Sequence, residues 1–113
     1  MNNQPTSTVT YYNQVSPIGK PILDLLGIEY KQSCIATLNH LEYFNDWNFN
    51  CLTGIKYLWR LGQKTEDYSS DMAKAIDYFT WAVENRVNEM YPSRVAKVEQ
   101  AIAALKELIN DTI

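Results

Sequence analysis

Residues 69–90, SSDMAKAIDYFTWAVENRVNEM, carry the clearest periodicity in the chain. Met72, Ala75, Ile76, Phe79, Val83, Val87 and Met90 recur every three or four positions, the spacing of one face of an α-helix. Ser69 or Ser70 is the natural N-cap, and Asp71 in the first turn suits the helix dipole. Pro92 cannot continue the hydrogen-bond ladder, so the predicted helix spans 70–90.

The same periodicity continues on both sides. Downstream, Ser93 opens a helix over 93–110 whose Val95, Val98, Ile102, Leu105 and Ile109 form a narrow seam. Such a seam packs on another helix, in the same chain or in a second subunit, and a subunit contact is the preferred expectation. Upstream, Ser33 caps a helix over 33–44 with Ile35, Leu38 and Leu41 on its apolar side, flanked by Cys34 and Phe44. Asn45, Asp46 and Asn48 break the pattern. A helix over 49–61 follows, with Phe49, Leu52, Ile55 and Trp59 as its buried stripe, Leu58 broadening it, and Gly62 as a left-handed C-cap. A short helical turn follows Pro21 and stops before Gly27. Residues 1–18 are polar, contain Pro5 and Pro17, and read as a mobile arm that orders around Tyr11 and Tyr12 if a partner covers it. The expected fold is all-α: a compact bundle of about four helices over 19–113, assembled as a dimer or larger.

A chain of 113 residues with 46% hydrophobic content makes one domain with a real core. The net charge of −3 argues against a general nucleic-acid coat or a membrane-surface protein, while leaving room for a local cationic pocket. No apolar run has the length of a membrane span, and the first residues lack the features of a signal peptide. Cys34 and Cys51 lie in apolar helical patterns and read as buried free thiols, with no zinc-type spacing. These features lead us to expect a reduced, cytosolic protein.

Between Asp46 and Glu66 there is no acidic residue, yet Lys56, Arg60 and Lys64 fall there at intervals of four. Like charges so spaced cost a helix a few tenths of a kcal/mol, so something should compensate. A phosphate is one candidate, taking a two-point contact from Arg60 and point charges from the lysines. The competing reading pairs these cations with Glu66, Asp67, Asp71 or Asp77. Trp47, Phe49, Tyr57, Trp59, Tyr78 and Trp81 surround the stretch, as core packing or as rings able to stack on a nucleobase. His40, the sole histidine, reads as structural rather than as a metal ligand. The glycine-rich phosphate loops GxxxxGK[ST] and GxGxxG and the serine-hydrolase elbow are absent, so any phosphate must be held by side chains and helix ends.

Three segments, YKQSCI (30–35), IKYLWRLGQK (55–64) and DMAKA (71–75) with Tyr78-Phe79, carry a resemblance. They are similar to the core of the SaV-like family, a small phage-borne domain long catalogued as one of unknown function. That core reads roughly HY…(G-N)-x-IKY-x-x-R-x-G-x-K…DLxKAxxYL. The resemblance covers residues 29–85. A family member in short-tailed coliphages is a kinase of thymidine and guanosine deoxymonophosphates that likewise lacks the ordinary phosphate loop.

The resemblance implies a nucleotide-metabolism protein of the host cytoplasm and implicates Tyr30, Lys56, Tyr57, Arg60, Gly62, Lys64, Asp71, Lys74 and Tyr78. In that reading Lys56, Arg60, Lys64 and Lys74 neutralise phosphate charge, and Tyr30, Tyr57, Tyr78 and Trp81 line the pocket. Magnesium bridges the phosphates, with Asp67 or Asp71 as the candidate catalytic carboxylate. Two positions depart from the family: its histidine is Glu29 here, and Leu52-Thr53 replaces its Gly-Asn pair. Those departures favour an alternative, a non-catalytic oligomeric binder that sequesters a nucleotide or a nucleotide-derived immune signal. A plain protein-interaction module is the third reading.

Overall fold

The computed structural model describes residues 14–63, 67–86 and 90–112. The expectations placed on Tyr11, Tyr12, Lys64, Glu66 and Val87 lie outside those residues. Among the described residues five helices follow in order: α1 Lys20–Leu25, α2 Cys34–Asn45, α3 Phe49–Trp59, α4 Ser69–Arg86 and α5 Pro92–Thr112. No strand occurs among the described residues, and the fold is an all-α bundle. None of these helices is long and apolar enough to cross a membrane.

Local chemistry fixes the helix ends. Pro21 starts α1, and Gly27 leaves it at φ +68°. The Ser33 hydroxyl caps α2 by accepting from Ala36 N–H, and the Asn48 side chain caps α3 by accepting from Cys51 N–H. Pro92 opens α5 rather than merely closing the preceding helix.

Helix α3 is the central element, with α4 as its main partner; α4 continues onto α5, and α1 bridges α3 and α5. The buried face of α3 is Cys51, Gly54, Ile55, Leu58 and Trp59. Phe49, expected on the apolar stripe, is 72% exposed, and Ile35 of α2 is 65% exposed, with Cys34, Thr37 and Leu41 inward instead. Gly54 explains the rotation of α3: its bare Cα receives the Phe79 ring, and a β-carbon there would lie 2.7 Å from Phe79 Cε1. A face centred on glycine has no side chain to reveal it in a hydrophobic pattern. Gly54→Val should therefore lower stability by about 1–3 kcal/mol through overpacking against a fully buried ring, measured by urea unfolding.

On α5 the fully buried positions are Val98, Ala101 and Leu105, while Val95, Ile102 and Ile109 pack half-buried on the same core. Val98 and Leu105 of the seam are thus buried within the chain. Residues 14–18, read as part of the arm, are held in place. Ser16 is fully buried; its N–H donates to Trp59 O at 2.8 Å, and its hydroxyl donates to Leu61 O while accepting from Ile18 and Gly19 N–H. This knot ties the segment to the end of α3.

Cys34 and Cys51 are free and buried, and burial pushes both thiols up to about 12 from an ordinary 9. The unfolded chain therefore releases these protons first. Their stabilising contribution is complete below pH 9 and is lost as pH rises toward 12. Urea midpoints should fall over that window, and less so in a Cys34→Ala/Cys51→Ala chain. Thiol reagents at pH 8 should label neither cysteine until the protein unfolds.

Candidate functional site

The residues singled out in sequence converge chiefly where α3 meets α4. Arg60, the C-cap residue of α3, turns its guanidinium onto Asp71 in the first turn of α4. Its Nε and one terminal nitrogen donate to the two carboxylate oxygens, both at 3.1 Å, with the side chains only 12% and 14% exposed. This planar two-point pair locks the crossing of the helices. The pairing of Arg60 with a carboxylate, weighed above against a phosphate role, is what the structure shows for this residue.

The lock carries aromatic rings with it. The Arg60 guanidinium lies 4.9 Å from the Tyr57 ring centroid, and the Lys74 ammonium lies 5.6 Å from the same ring. Tyr57 stacks on Tyr78 at 5.9 Å and 22° between planes. Trp81 meets Tyr78 edge-on at 5.1 Å, and Phe49 does so at 6.4 Å. Trp81 is 45% exposed and Phe49 more so, which leaves this ring cluster open along its outer rim. Phe49 is a member that sequence reasoning placed in the core; the helical phase of α3 was the only signal, and Gly54 concealed it.

Lys56 and Lys74 are both exposed, and no described carboxylate lies within ion-pair distance of either. Lys56, one turn before Arg60, is close enough to Cys34 to favour its thiolate, though not enough to overcome burial. Lys64 lies outside the described residues. The geometry therefore brings together Tyr57, Arg60, Asp71, Lys74, Tyr78 and Trp81, with Lys56 exposed one turn before Arg60 on the same helix and Gly62 bending the chain beyond Arg60 at φ +75°.

Other candidates stand apart. Tyr30 donates its hydroxyl to Asp24 at 2.5 Å, sits under the Lys20 ammonium and meets Trp59 at 6.0 Å. Burial and that bond to Asp24 raise the Tyr30 hydroxyl well above its usual value, so it acts as a neutral donor. Asp67 accepts from Ser69 N–H and hydroxyl at 3.1 and 2.7 Å, which fastens the start of α4 and holds its carboxyl below the usual range. His40 Nε2 lies 3.9 Å from Glu29, itself paired with Lys31 at 2.7 Å. Among the described residues no group of three or more His, Cys, Asp or Glu is placed to hold a metal. Asp67 serves the helix start and Asp71 serves Arg60.

What this arrangement offers chemically is an exposed lysine, Lys74, beside an open ring cluster based on two helices, with a second exposed lysine, Lys56, on α3. Comparison with protein-family models, curated proteins and solved structures finds no match.

Proposed function

We propose that this chain is a nucleotide-binding protein, with the ligand laid along the face made by α3 and α4. The observation that carries the reading is Lys74, an exposed cation without a described carboxylate partner, over the Tyr57 ring of the Tyr57–Tyr78–Trp81 cluster, with Lys56 likewise exposed and without a described carboxylate partner on α3. Lysine ammonium groups act as point charges for phosphate, and the exposed rim of Trp81 is available to a base. Arg60 and Asp71 position this surface. The resemblance to the SaV-like phage domains points the same way and suggests a deoxynucleoside monophosphate as ligand. Magnesium, on this reading, comes with the nucleotide's phosphates.

Engagement of both Asp67 and Asp71 favours binding without turnover, because phosphoryl transfer to a monophosphate needs its nucleophile and metal held in place. Calorimetric titration with each deoxynucleoside monophosphate, in parallel with product analysis in the presence of ATP and magnesium, tests both parts. Saturable binding with ligand recovered unchanged supports a binder, and diphosphate product supports a kinase. No binding to any monophosphate ends the proposal.

A further inference from the structure

A second concavity with charged walls lies elsewhere, between the α1–α2 loop, the C-terminal half of α2 and the first turns of α5. It is a cavity of about 280 Å³ whose wall includes Glu29, His40, Trp47, Tyr91, Arg94 and Lys97. None of its residues belongs to the α3–α4 face.

Arg94 is the unusual group. Its guanidinium is half-buried, 4.4 Å from the Trp47 ring and 5.5 Å from the Tyr91 ring. Its one hydrogen bond among the described residues is a long 3.4 Å contact to the Asp46 carbonyl. That carbonyl is turned toward it by the left-handed backbone of Asp46, φ 56°. A planar cation with five donors, set against two rings and given one long acceptor among the described residues, keeps donors available to a ligand. Burial correspondingly pulls the guanidinium below its ordinary value.

Lys97, one turn further along α5, adds a second cation. The bare Cα of Gly27 lets its ammonium approach so closely that a β-carbon there would lie 3.3 Å from Nζ. Neither Arg94 nor Lys97 has a described carboxylate within ion-pair distance. Glu29 does not answer them, since its oxygens face Lys31 and His40. In a chain with a net charge of −3, this recess thus carries two cations that no described carboxylate meets at ion-pair distance, with Glu29 on the same wall.

We propose that this cavity is a separate ligand site for the phosphate head of a small phosphomonoester. Two cations call for a dianion, and the arginine fork matches a phosphate face while Lys97 supplies a point charge. Ser93, also on the wall, brings a hydroxyl to the start of α5, where the helix dipole favours an anion. Leu26, Ile28 and Leu41 give the remainder of the ligand an apolar wall. The volume suits a sugar phosphate rather than a dinucleotide.

The test is calorimetric titration of inorganic phosphate and ribose 5-phosphate, run on the native chain and on a Lys56→Ala/Lys74→Ala chain in which the α3–α4 face is disabled. The inference predicts saturable binding in both, weakened about tenfold or more by adding Arg94→Met or Lys97→Met. Lys97→Met keeps the test decisive if Arg94→Met fails to fold, as its melting curve will show. Binding that disappears with Lys56 and Lys74, or that survives both methionine variants, overturns the proposal. So does acetate binding as tightly as phosphate, or no binding at all.

Discussion

Arg60→Met should cost roughly 3 kcal/mol of folding stability, far more than a surface arginine is worth. The reason is Asp71, which is 14% exposed and loses the fork that satisfies both of its oxygens. The same change removes the cation from Tyr57 and loosens the stack on Tyr78. Urea unfolding measures the loss, and a double-mutant cycle with Asp71→Leu assigns it. Replacing both partners by apolar side chains should recover most of the stability, because the penalty comes from a stranded carboxylate rather than from a missing attraction. A loss below about 0.5 kcal/mol for Arg60→Met would place the pair among ordinary surface contacts.

Lys56→Ala/Lys74→Ala should behave in the opposite way. Both side chains are exposed, so the melting temperature should scarcely move. Each ammonium contact to a phosphate is worth about 1.5 kcal/mol, so losing two should weaken nucleotide binding by about a hundredfold. Lys106→Ala on α5 is the matched control and should leave affinity unchanged. If affinity persists in the double variant, the ligand does not use this face. The contrast between the two experiments separates the group that builds the surface from the groups that meet the ligand, and it makes Arg60 a poor probe of binding.

The parts of this architecture that are legible in the sequence are local ones. Ser33, Pro21, Gly27 and Gly62 announce helix ends because a cap, a fixed φ or a positive φ depends on the residue itself. Rotation of a helix about its axis is less legible, as Phe49 and Ile35 show, because the packing partner decides it. Gly54 turns α3 toward Phe79 by having nothing on its Cα.

Contacts distant in sequence are harder still. Ser16 reaches Leu61 across 45 positions, and no pattern near either residue signals it. For the candidate site, spacing placed Lys56 and Arg60 on α3 and offered Asp71 as one of four possible carboxylate partners, and the resemblance added Lys74. Whether Arg60 faced a carboxylate or a ligand depended on where α4 crosses. Trp47, grouped in sequence with the basic stretch, belongs instead with Arg94, because α5 returns to the loop after α2.

Amide and side-chain NMR of the labelled chain, titrated with a deoxynucleoside monophosphate, tests the central claim most directly. Signals of Lys56, Tyr57, Lys74, Tyr78 and the Trp81 indole should shift together along one saturation curve. If those signals stay in place at saturating nucleotide, the α3–α4 face is a packing device alone and the functional account fails.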